Sequence, residues 1–274
     1  MTFSDEELQF IKFLESFPQF YKKAHVIAEN KDGVSILPTG RGRNEFKMYA
    51  LDEICHSCNN FNEDGIFFTP KTTDAIWYKK IEDKFFIFLI EFKGDKLCKN
   101  SSKCKLLDVV DTIKQKNEVY HDEFKSVIKS LEKIINKYSD KMLNGLAAKP
   151  LETVTIALPL IYEEYYEKNK NKNDVEYIDI RKFLDDARII YSVVSIADEN
   201  ANRQKSRGRA YRCSNMSPNL CEEYALKNHD REINSSYEST LKTYYKRYEK
   251  AGIVYSAGFV DNTSFNKFID DYLK

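Results

Sequence analysis

The sequence predicts an α/β protein in which helices flank a central sheet, on three observations. Residues 85–92, FFIFLIEF, are apolar on both alternating faces except at Glu91, the pattern of a strand covered on two sides. Thr153–Tyr162 (TVTIALPLIY) and Ile189–Ile196 (IIYSVVSI) are further β-rich runs. Stretches with helical apolar spacing lie around these runs, such as Phe124, Val127, Ile128, Leu131, Ile134, Ile135 and Tyr138.

In chain order, Ser4 followed by Glu7 reads as a capping box. Leu8, Ile11, Phe13, Leu14 and Phe17 then give a first helix that ends before Pro18. A short helical stretch, Phe20–Ala28, precedes a turn at Lys31, Asp32 and Gly33. Residues 34–44 form a Gly- and Arg-rich loop. Its Arg41 and Arg43 suit phosphate contact, and equally a plain solvated loop. Glu45–Asn59 reads as a helix through Phe46, Tyr49, Ala50, Leu51 and Ile54, and Gly65–Thr69 as a first core strand. Ala75–Tyr78 is β-prone and Lys79–Lys84 polar, so with residues 85–92 they form an antiparallel hairpin turning near Glu82 and Asp83. Helices are expected over Leu106–Lys116 and His121–Tyr138. Thr153–Tyr162 is the expected fourth core strand, with Pro159 marking where it leaves the ladder. Residues 163–174 are charged and read as a helix end and loop. A helix over Ile180–Ala187, the strand Ile189–Ile196, a helix over Ile233–Ala251, the strand-like IVYSAGFV and a last helix Ser264–Leu273 complete the chain. This divides it into an N-terminal helical segment (1–44), a core (45–165) and a C-terminal α/β extension (175–274).

Composition narrows the function classes. Lys+Arg and Asp+Glu both number 43 among 274 residues, so any basic surface is local rather than global. The longest apolar run, Phe85–Ile90, is far too short to span a bilayer. The acidic start, MTFSDEELQF, has no signal-peptide pattern, and six cysteines fit a reducing compartment better than a disulfide scaffold. The expected location is the cytoplasm. Cys55 and Cys58 have zinc-like spacing, but inside a predicted helix positions i and i+3 merely share a face. The chain lacks a Walker-type loop, a G-x-S-x-G elbow and a dinucleotide fingerprint. Between Asn200 and Cys221 there is no acidic residue, while Arg203, Lys205, Arg207, Arg209 and Arg212 surround Tyr211. That composition suits phosphate contacts with base stacking, and also an exposed loop.

Hairpin register adds a sharper expectation. A loop symmetric about Glu82 and Asp83 sets Lys80 opposite Phe85, Tyr78 opposite Ile87 and Asp74 opposite Glu91. Opposed side chains have Cβ atoms about 4.5–5.5 Å apart, and Lys93 shares the face of Glu91 because strand side chains alternate with period two. Two opposed carboxylates repel, more so when buried. A hard divalent cation, which takes one or two carboxylates plus waters and phosphate oxygens, would resolve the conflict.

An Asp on one strand and Glu-x-Lys on the next resembles the PD-(D/E)xK, restriction-endonuclease-like nuclease superfamily over residues 40–165. The family's Asp maps onto Asp74, its Glu onto Glu91 and its Lys onto Lys93. Thr73 stands where the family usually has proline, and Pro70 lies four residues upstream. The resemblance implies a mixed central sheet with an αβββαβ core. It also implies Mg2+ (or Mn2+) held by Asp74, Glu91 and the Phe92 carbonyl, and Lys93 orienting or deprotonating the attacking water. A glutamate from the preceding helix would complement the site, Glu45 in preference to Glu53. DNA is the implied substrate, with RNA a variant, and a homodimer the implied assembly for cutting both strands. Arg41, Arg43 and the 203–212 segment would grip the backbone. Two other readings stand beside this one: a nucleic-acid-binding protein on the same fold without cleavage, and a structural module in which Glu91 and Lys93 simply pair.

Overall fold

A computed structural model describes residues 2–29, 33–37, 46–58, 70–94, 145–196 and 236–273. The chain begins with α1 (Asp5–Glu15), capped as its sequence predicts: the Glu7 N–H donates to Ser4 Oγ and the Ser4 N–H to Glu7 Oε2. β1 (Tyr21–Lys23), the single turn α2 (Ala24–Ile27), β2 (Lys47–Tyr49) and α3 (Leu51–Ser57) follow. The hairpin is β3 (Ala75–Ile81) and β4 (Lys84–Lys93). A long helix, α4, runs over 145–169 with a wide π turn at Thr153–Ala157 in its middle. The chain closes with α5 (Ile180–Asp186), β5 (Arg188–Ser195), α6 (Ser236–Lys250), β6 (Ser256–Asp261) and α7 (Phe265–Phe268), which continues as a π turn, Ile269–Leu273.

The six strands form one mixed sheet in sequence order. β1 to β4 are antiparallel neighbours, and β4, β5 and β6 are parallel. The α/β class is therefore as expected. The hairpin register also follows the sequence reading, with Lys80 opposite Phe85, Tyr78 opposite Ile87 and a two-residue turn between Ile81 and Lys84. Glu82 takes φ 56° at the first turn position, where the primed turns that match strand twist need a positive φ.

Both faces of β4 are covered, which explains its near-continuous apolar run. On one face Phe85, Ile87 and Leu89 join Phe10, Phe13 and Leu14 of α1, Ile161 and Tyr162 of α4, Phe183 of α5 and Leu241 and Tyr245 of α6. On the other, Phe86, Phe88, Ile90 and Phe92 pack with Phe265, Phe268, Ile269 and Leu273. Glu7 reaches beyond its cap to pair with Lys80 at 2.6 Å, both side chains at most 10% exposed, fastening α1 to the hairpin.

Three elements differ from expectation. The helical stretch expected over Phe20–Ala28 is helical only at the turn α2, because Tyr21–Lys23 pairs with β2. Thr153–Tyr162 is helical, and the strand beside β4 is β5 instead. The ten-residue window is β-rich, but over 146–165 the buried side chains Leu146, Ala147, Val154, Ala157, Leu158, Ile161, Tyr162 and Tyr165 recur at helical intervals, and packing of that stripe overrides local propensity. Pro159 lacks the N–H for an i→i−4 bond, and the π turn ends two residues before it, at Ala157. The helix expected over Glu45–Asn59 begins only at Leu51, because Lys47–Tyr49 pairs with β1. The strand expected at Gly65–Thr69 and the helices at Leu106–Lys116 and His121–Tyr138 lie outside the described residues.

The end of α6 supplies a stability test. The Ile253 N–H donates to the Tyr248 carbonyl and the Gly252 N–H to that of Glu249, the Schellman pair, with Gly252 at φ 75°. A Cβ at Gly252 would meet nothing within 4 Å, so only backbone strain opposes it. Gly252→Ala is expected to cost about 1 kcal/mol in urea unfolding, and an unchanged midpoint would contradict this cap.

Candidate functional site

The site lies at the carboxyl end of β4, where that strand leaves the sheet beside β5. Parallel strands of open α/β sheets characteristically present their ligand sites at this end. Glu91 is on the helix-covered face, opposite Val193 of β5, and has 0% exposure. Lys93, two residues on, shares that face at the rim, and its Nζ stands 2.6 Å from Glu91 Oε1, an ion-pair contact off the alignment of a hydrogen bond.

Asp74 immediately precedes β3, and the register Ala75 opposite Ile90 carries it to Glu91 as expected. Its side chain prolongs the ladder: Asp74 Oδ2 accepts the Phe92 N–H at 2.6 Å. The segment leading to it is pinned from two helices. The Leu51 N–H donates to the Asp74 carbonyl, and the Thr72 hydroxyl to Asp52 Oδ1 at 2.6 Å. From α4, Glu152 Oε2 accepts the Lys71 N–H and Thr153 Oγ1 accepts the Thr73 N–H. A proline at position 73 has no N–H and could not make that last bond, which gives Thr73 a local reason.

A fourth group completes the constellation. Lys149 reaches from α4 to place its Nζ 2.7 Å from Glu91 Oε2 and 3.5 Å from Asp74 Oδ1. One ammonium thus touches both carboxylates, so a single cation can be shared between them. Lys149 is legible in hindsight as a charged residue inside the apolar stripe of 146–165; a ten-residue window at Thr153–Tyr162 excludes it.

These contacts leave the charges only partly satisfied. Burial, reinforced by the Glu91 charge, pushes the Asp74 carboxyl up to about 7, although Lys149, Lys93 and the Phe92 N–H pull the other way. Burial works to lower Lys149, but Glu91 and Asp74 outweigh it and hold its ammonium above the ordinary lysine value. The fully buried Tyr191 phenol on β5 is also held well above its usual value, by burial first, then by Tyr245 and Glu91.

The other expected site residues are distributed differently. Phe92 contributes backbone only, since its ring packs edge-on against Phe265 on the opposite face. Glu53 pairs with Lys22 at 2.5 Å, away from the carboxylates, whereas its neighbour Asp52 acts electrostatically on Lys149. Glu45, Arg41, Arg43, Arg203, Lys205, Arg207, Arg209 and Arg212 lie outside the described residues. Cys55 and Cys58 are buried at the end of α3, their thiols pushed up by burial to about 12 and about 11. Among the described residues no three His, Cys, Asp or Glu side chains gather as a metal cluster, and no helix is long and apolar enough to cross a membrane.

Asp74 makes stability depend on pH with a definite sign. Its folded value is raised above the ordinary 3.8, so its contribution is largest below that value and is lost as pH rises through about 7. Asp74→Asn abolishes the loss. In chelator, the variant should melt above wild type at pH 8, with the gap shrinking toward pH 5; parallel melting curves would contradict the assignment.

No protein-family model, curated protein or solved structure matches the chain.

Proposed function

We propose that the chain is a metal-dependent nuclease that hydrolyses phosphodiester bonds of DNA. The observation that carries this is the cation shared by Asp74 and Glu91, made at present by Lys149. The donor set fits Mg2+ or Mn2+: two carboxylates aimed at one point, one of them wholly buried, in a pair whose repulsion a divalent charge relieves. With two carboxylates, the remaining coordination falls to water, substrate phosphate and the Phe92 carbonyl. When bound, such an ion lowers the pKa of water and stabilises charge on the scissile phosphate.

The chain's own groups do the rest. Asp74 is held in place through the Phe92 N–H and the pinned 71–74 segment. Glu91 is fixed by the sheet. Lys93 is 29% exposed at the rim, where its ammonium can orient the attacking water, or its neutral amine take the water's proton. The basic run from Arg203 to Arg212 supplies the charge and the aromatic residue suited to a nucleic-acid backbone.

One observation favours a second reading. Glu91 already has an ammonium on each oxygen, so the site is electrically satisfied there without metal, as a nucleic-acid-binding protein that does not cut would allow, and as the Glu91–Lys93 pairing of a structural module also would. Incubation of duplex and single-stranded oligonucleotides with Mg2+ separates the two. Cleavage is expected, falling about 100-fold or more in Asp74→Asn and in Lys93→Met with the melting transition of each retained. Wild-type rates in both variants would reject the mechanism, and salt-sensitive binding without product would establish the second reading.

A further inference from the structure

We propose that Lys149 is a built-in counter-cation that keeps the place of the divalent ion, and that metal entry displaces its ammonium from between Asp74 and Glu91 toward the substrate phosphate. This rests on the metal-dependent reading above and adds a residue that the Asp–Glu-x-Lys pattern does not contain.

The geometry separates the two lysines. Lys93 touches Glu91 on one oxygen and stands at the rim, so it can stay when a cation arrives. Lys149 touches the other Glu91 oxygen and Asp74 together, which is the place a shared ion must take. Two cations cannot occupy it at once, and their repulsion in a partly buried site is strong. Lys149 is built to yield. Its side chain is 18% exposed, so a way out exists, and a lysine carries a compact charge on a flexible stem. Asp52 supplies a second attraction: its carboxylate acts on Lys149 and is 46% exposed. The helix itself need not move, because Thr153 and Glu152 tie it to the 71–74 segment. A displaced Lys149 ammonium would border the ion and meet the phosphate oxygens that the ion attracts. The device keeps a positive charge between Glu91 Oε2 and Asp74 whenever metal is absent.

Mn2+ binding to the substrate-free protein, read by paramagnetic resonance of the free ion, tests this without reference to activity. Lys149→Met removes the competitor and should bind Mn2+ at least about tenfold more tightly than wild type, whereas Lys149→Arg, which keeps the charge, should not. Asp74→Asn should abolish binding. Equal or weaker binding by Lys149→Met, with Asp74-dependent binding by wild type, overturns the role of Lys149 alone. No Mn2+ binding by any form overturns both this and the metal-dependent reading. A measurement on wild type covers the case in which Lys149→Met does not fold: acylation of Lys149, followed by peptide mass spectrometry, should accelerate several-fold on adding Mn2+, and an unchanged rate overturns the proposal.

Discussion

A carboxylate without solvent exposure on the central strand constrains everything near it. Glu91 sits at 0% exposure, and an ionised group there is tolerable only if it is paired. The pairing comes from two directions. Lys93 arrives through the period of β4 itself, and Lys149 through a helix more than fifty positions later in the chain. Once α4 must deliver Lys149, its next turn is in place to receive the backbone of 71–74 through Glu152 and Thr153. That segment in turn holds Asp74 against the Phe92 N–H. Sheet, loop and helix are thus fastened at one point, and the point is charged.

A well-packed apolar cluster would stabilise this location at least as well as an ion network, since buried ion pairs contribute little net stability. The rest of β4 follows that rule, with aromatic and aliphatic side chains on both faces. The departure at its carboxyl end is not what stability alone would select. The raised value of Asp74 says the same in electrostatic terms: two lysines do not fully offset two carboxylates under burial. Sites that carry such unrelieved charge are where a ligand gains most by binding.

What the sequence disclosed follows from the range of the forces involved. Ser4 and Glu7 cap a helix through bonds three residues apart, and the hairpin register follows from counting outward from Glu82 and Asp83, so both could be read locally. The meeting of Asp74, Glu91 and Lys93 is a consequence of that register and of strand alternation. Lys149 was not legible in the same way, because its partners are 58 and 75 positions distant and depend on how α4 lies across the sheet. The segment Thr153–Tyr162 shows the same limit: Thr, Val and Ile in a short window favour a strand, while the stripe running from Leu146 to Tyr165 favours a helix against the sheet. Thr73 gains its meaning only once Thr153 is known to stand opposite its N–H.

The most direct test is anomalous diffraction at the manganese edge from crystals equilibrated with Mn2+. The account predicts a peak bonded to oxygens of both Asp74 and Glu91, with the Lys149 ammonium withdrawn from between them. Full-strength density for Lys149 in its present position, with no peak at the two carboxylates under saturating Mn2+, would contradict it.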